Sequence, residues 1–166
     1  MRNEPMMTQS PQAFDRKTVE TAGLSEMSAE TESYWLQRTG RRPLAFSGSE
    51  LCMAMSYVPG SRFWYEVNIY RASEGGFVVR VDMRSKAEGD IEMHDAWECP
   101  SFGEVMDSLE AYDAANDIRI DIDPDDPDLS AADMAAHALA IRARAEDARR
   151  QFRSLVGELL HELETG

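Results

Sequence analysis

Residues 63–84 read Phe-Trp-Tyr-Glu-Val-Asn-Ile-Tyr-Arg-Ala-Ser-Glu-Gly-Gly-Phe-Val-Val-Arg-Val-Asp-Met-Arg. Phe63, Tyr65, Val67 and Ile69 alternate with Trp64, Glu66, Asn68 and Tyr70. After Glu74-Gly75-Gly76, Phe77, Val79, Val81 and Met83 alternate with Val78, Arg80, Asp82 and Arg84. Alternation with period two sends successive side chains to opposite faces of a strand, and Gly-Gly between two such runs is a hairpin signal. The stretch predicts two antiparallel strands with one buried face.

The same period extends both ways. Leu51, Met53, Met55 and Tyr57 alternate with Cys52, Ala54 and Ser56, and a Val58-Pro59-Gly60-Ser61 turn follows. Residues 44–46 either extend this strand or precede it as a bulged edge. Beyond a polar loop at 85–90, Ile91, Met93 and Trp97 alternate with Glu92, His94 and Ala96. Four such runs with short loops predict an antiparallel meander. Residues 118–122 alternate too, a candidate fifth strand or an extended link.

Helical signals flank the meander. Ser101-Phe102-Gly103-Glu104 matches a capping box, and Phe102, Val105, Met106, Leu109 and Tyr112 make one apolar face behind it. This helix is expected to lie on the apolar side of the sheet, an α+β layer arrangement. Met27, Thr31, Tyr34 and Trp35 share a helical face, with Gly40 and Pro43 beyond, so a helix is expected over 25–39. Ser130 to Asp133 repeats the capping pattern before a last helix of about 35 residues, roughly 50 Å long. Its apolar positions Met134, Ala138, Ile141, Ala145, Ala148, Phe152, Leu155 and Leu159 are spaced 4-3-4-3-4-3-4, a heptad seam.

The expected organisation is a disordered tail at 1–23, an α+β domain at 24–117, an acidic Asp/Pro linker at 118–129 and a long helix at 130–166. The linker sequence Asp123-Pro-Asp-Asp-Pro-Asp128 excludes helix and central strand. Asp121, Asp123 and Asp125 imitate the start of a calcium loop, but Asp126 and Ala132 stand where that loop needs Gly and Glu. No metal and no cofactor is expected. Cys52 and Cys99 lack metal or redox spacing and read as reduced core thiols.

The net charge of −14 is local. Residues 82–133 hold seventeen acids against Arg84, Lys86 and Arg119, while the chain on either side is balanced. A polyanion repels nucleic acid and anionic membranes, so neither is an expected partner. No apolar run reaches the length of a membrane span, and the first 24 residues hold no secretory core, so a cytoplasmic protein is expected. The preference for Arg over Lys fits a GC-rich, bacterial genome.

The stretch 62–113, with two aromatic-rich strands, a Gly-Gly hairpin and Ser-Phe-x-Glu opening a helix, resembles in outline the WGR domains. That family is associated with nucleic acid. The Trp-Gly-Arg triplet is absent and the region is acidic, so the function is not carried over.

Three functional readings follow. In the first, the chain is a non-catalytic adaptor or regulatory module that binds another protein or itself. Its surfaces are the helix seam (Ile141, Ala145, Ala148, Phe152, Leu155, Leu159) and the sheet's outer face (Trp64, Tyr70, Arg80). A partner helix at 25–39 would cover less than half of the seam, leaving the part around 148–163 for a sheet face or a second chain. In the second, Glu104, Asp107, Glu110 and Asp113 present an acidic surface that mimics nucleic acid and inhibits a protein that binds it. In the third, an enzyme rests on Glu66, Asp82 and His94 with Arg80, since a His beside a carboxylate is material for a general base. Cross-strand charge pairing on a wetted face is the simpler account of those residues.

Overall fold

The computed structural model describes residues 31–165 apart from 88, 89, 120, 121 and 124, and no side chain is described at 164 or 165. Five strands come first: β1 (Glu32–Arg38), β2 (Arg41–Met55), β3 (Phe63–Ala72), β4 (Phe77–Ser85) and β5 (Met93–Cys99). They form one antiparallel sheet in the order β1-β2-β3-β4-β5. Then come α1 (Phe102–Ala111), a 3-10 turn (Ala114–Asp117) and α2 (Ala131–Thr165). The α+β class and the helix after the meander are as the sequence predicts.

The hairpin at 63–84 pairs Phe63 with Ser85 through to Arg71 with Phe77, without a slip. Gly75 and Gly76 close it at φ 107° and 77°, values that side chains with a Cβ rarely adopt. Residues 44–46 belong to β2, whose pairing with β3 shifts between Glu50 and Cys52. Just before that shift, a Cβ on Gly48 would fall 2.2 Å from the Arg71 carbonyl oxygen, so only glycine lets the two strands meet there.

One element differs from expectation. Of the helix read over 25–39, residues 25–30 lie outside the described residues, and Glu32–Arg38 is a strand paired with β2. Tyr34 and Leu36, two apart, turn into the sheet's second apolar cluster beside Leu44, Phe46, Tyr70, Val78 and Ala96. Gly40, with φ 72°, serves the β1–β2 turn rather than a helix end. The fifth strand is therefore at the N-terminal edge. The other candidate, 118–122, is not strand at Ile118, Arg119 or Ile122, and residues 120 and 121 lie outside the described residues.

Because β1 is an edge, the sheet can curl until its two edges meet. The Thr39 amide donates to the His94 carbonyl at 2.7 Å, and the His94 amide donates to Thr39 Oγ1 at 3.0 Å. Arg41 pairs with Asp95 across the same gap.

The main core lies on the convex side. Tyr65, Val67, Ile69, Val79 and Val81 are closed off from solvent by Val105 and Leu109 of α1 and by Ala148, Phe152, Leu155 and Leu159 of α2. The caps are as the sequence predicts: Ser101 Oγ accepts from the Glu104 amide and Ser130 Oγ from the Asp133 amide. The Arg149 guanidinium donates twice to Asp113, both at 2.7 Å, fixing α2 to the turn that follows α1.

Candidate functional site

The seam of α2 divides in two. Ala148, Phe152, Leu155 and Leu159, expected to face a partner, are buried against the chain's own sheet. Phe152 stands edge-on to Tyr65 at 5.4 Å and tilted on Tyr112 at 4.8 Å between ring centres. Ile141 and Ala145 are half-buried at the rim. Above them every residue from Ala131 to Ala140 is exposed, Met134 to 50% and Leu139 to 68%. The helix therefore leaves the body as an arm of about ten residues, roughly 15 Å long. A heptad pattern reports a stripe that something must cover, not what covers it. Here the sheet covers the C-terminal half, one of the two covers expected for 148–163, and the N-terminal half, for which a helix at 25–39 was expected, is open.

The concave face of the sheet carries a charged network. Register places Glu66 beside Asp82 and Asp82 beside His94 on three successive strands. Asp82 was expected on a wetted face; the curl buries it to 1% exposure. Its Oδ1 meets His94 Nδ1 at 2.8 Å, so that nitrogen carries the proton toward the carboxylate. Its Oδ2 meets Arg84 Nη2 at 3.4 Å and Arg80 Nε at 2.8 Å. The Arg80 N–H is not aimed along that line, so the contact is electrostatic and Nε makes no hydrogen bond. Arg84 also reaches Glu66 at 3.2 Å and Glu92 at 3.1 Å, and Trp64 Nε1 donates to Glu66 at 3.1 Å. Both Asp82 oxygens are engaged, and His94 Nε2 faces a second carboxylate, Glu92, at 3.9 Å. The network can hold three strands together electrostatically.

The other residues expected on this face have different fates. Tyr70 is buried in the second cluster, in contact with Tyr34 at 4.7 Å and Phe46 at 5.4 Å. Burial raises its phenol pKa. Trp64 is half-buried, edge-on to Tyr57 at 5.1 Å. The exposed apolar members are instead Leu51, Met53 and Met55 along β2, each nearly half exposed. Beyond Gly48, β2 has no neighbour on its outer side among the described residues.

A second acid, unremarked in the sequence, lies under α2. Asp117 is 6% exposed and accepts from the Tyr65 hydroxyl at 3.1 Å and the Tyr112 hydroxyl at 2.9 Å. Desolvation raises its pKa above the ordinary carboxylate value, against the pull of the two phenols. In Ala114-Ala115-Asn116-Asp117 nothing signals a buried acid.

On α1, Glu104, Asp107 and Glu110 are exposed. Asp113 is not free: Arg149 holds its carboxyl down to about 2. The row available to mimic a phosphate backbone is thereby reduced to three residues. Cys52 and Cys99 are unbonded, half-buried and buried respectively. Among the described residues no group of three or more His, Cys, Asp or Glu could hold a metal ion, and no helix is long and apolar enough to cross a membrane.

Compared with protein families, with curated proteins and with solved structures, this chain matches none, the WGR domains included.

Proposed function

We propose that this chain is a non-catalytic interaction module whose docking element is the free N-terminal half of α2. One observation carries the reading. Of the eleven residues 131–141, nine are apolar, six of them alanine, and only Asp133 and His137 are polar. A helix polar only along one narrow side, here Asp133 and His137, ordinarily has its other sides buried, yet residues 131–140 are all exposed. Alanine's high helix propensity keeps such an arm formed without a cover, and its small side chain lets another helix approach closely. The partner is a protein, since the arm presents packing surface and little charge.

A photo-activated cross-linking residue placed at Met134 or Leu139, in the cell that makes the protein, tests this. Protein adducts are expected from the arm and none from a control position such as Glu110 on α1. Absence of adducts from both arm positions overturns the reading.

A further inference from the structure

We propose that the open end of the sheet beside Trp35 receives an arginine side chain from a basic segment of a partner protein, a docking surface separate from the arm. The chain has three tryptophans. Trp64 Nε1 donates to Glu66, and its ring meets Tyr57. Trp97 Nε1 donates to Ser108, and its ring stacks on Tyr112 at 5.8 Å. Trp35 has neither kind of contact among the described residues. It stands 70% exposed on β1, the most exposed of their large apolar side chains. Its partner across the strand pair is Ala45, and the next pair on that face is Ser33 with Ser47. These short side chains leave the indole uncovered.

Two carboxylates share the place. Ser33, Trp35, Ala45 and Ser47 line a dish of about 690 Å³ with the tip of the β3–β4 hairpin and the end of β5, which contribute Glu74 and Glu98. Both acids are exposed, and neither is in an ion pair among the described residues. No residue lining the dish is basic. Arg71, at the foot of the hairpin, lies over the Phe77 ring at 5.5 Å. The dish therefore holds a bare aromatic face and two uncompensated negative charges, with no cation of its own. A cation satisfies both, because the face of an indole is electronegative. Guanidinium fits better than ammonium. It is planar and lies flat on a ring, while its edge donates to carboxylates in a fixed fork. A lysine supplies a point charge alone. The dish is open and its rim is exposed, whereas a small-molecule site encloses most of its ligand. The arginine therefore arrives as a side chain on the surface of another protein.

An NMR titration of the isotope-labelled full chain tests this. Each tryptophan gives one indole N–H signal, so the three report separately. The probe is a short peptide that alternates glycine with arginine, in about 50 mM salt. The Trp35 signal should shift and saturate, while those of Trp64 and Trp97, whose N–H groups are already bonded, should hold still. The same peptide built with lysine should bind several-fold more weakly. Trp35→Leu should lower affinity about five-fold, the loss of an exposed cation–π contact. Glu74→Gln with Glu98→Gln should lower it by about the same factor. Asp107→Asn with Glu110→Gln removes the same charge from α1 and should leave binding unchanged. All five positions are exposed, so the variants keep the fold, which equal urea midpoints would verify. A Trp35 signal that does not move, a lysine peptide that binds as tightly, or an α1 pair that weakens binding as much as the dish pair overturns the proposal. None of these results bears on the arm, which its own cross-linking test decides.

Discussion

The division of one seam into a docked half and a free half makes a quantitative prediction. Leu155 and Met134 occupy the same stripe of the same helix, but Leu155 is 2% exposed and Met134 is 50% exposed. Leu155→Ala leaves a void in the main core, which Leu155 shares with Phe63, Tyr65, Phe152 and Leu159. Leucine-to-alanine changes at such sites cost about 2–5 kcal/mol, from lost transfer energy and from the cavity. We expect about 3 kcal/mol, or about 6–12 °C in Tm for a chain of this size. Met134→Ala removes a half-exposed side chain outside the core, so its cost should stay below about 0.5 kcal/mol. Urea denaturation measures both, compared at equal m. A loss under about 1 kcal/mol for Leu155→Ala, or equal losses for the two, would refute the assignment of the docked half.

Three further outcomes follow from the buried and paired acids. Asp82→Ala leaves Arg80, Arg84 and His94 without their shared counter-charge and should cost about 3–5 kcal/mol in the same assay; a loss below about 1 kcal/mol would show the network to be ornamental. A carbon-detected NMR titration should place the Asp113 carboxyl at about 2, and Arg149→Met should return it to the ordinary carboxylate range of about 3.9. Because its folded-state pKa is lowered, its contribution to stability is present above the ordinary value and disappears as pH falls through about 2. Asp117 has the opposite sign: its raised folded-state pKa makes its contribution complete below the ordinary value and lost as pH rises through the folded one. Asp117→Asn should therefore flatten the fall of unfolding free energy as pH rises above the ordinary carboxylate value, and an unchanged slope would exclude Asp117 as its source.

Strands β3 to β5 and the end of β2 from Leu51 to Met55 were legible because a period of two over four or more residues has no helical equivalent, whereas the start of β2 reads as a helix end. The caps at Ser101 and Ser130 were legible because they are local chemistry. β1 was not, for a physical reason: in Glu-Ser-Tyr-Trp-Leu-Gln-Arg the apolar residues Tyr34, Trp35 and Leu36 are contiguous, and a run that short fits either period. The following Arg, Gly and Pro suit a helix end and a hairpin turn equally. The burial of Asp82 was out of reach for a different reason. Alternation placed it on the correct face, opposite the core, but that face is enclosed only by the curl. The curl in turn depends on Thr39 meeting His94, 55 residues away in the chain. Of the docked half of the seam, Ala148, Phe152, Leu155 and Leu159 were legible and Val156 was not, while the division of the seam needed the length and position of the sheet.

The acidic stretch changes meaning in three dimensions. Several of the acids that make residues 82–133 so negative are answered by arginines from outside the segment: Asp82 by Arg80, Asp90 by Arg62 and Arg144, Asp95 by Arg41, and Asp113 by Arg149. Among the described residues, the acids that stay open are Glu98 on β5, Glu104, Asp107 and Glu110 on α1, Asp123, Asp125, Asp126 and Asp128 of the linker, and Asp133 at the start of α2. The linker aspartates sit at the N-terminal end of α2, where the helix dipole favours negative charge. Beyond the arm, the arginines lie along the half of the helix that docks on the sheet.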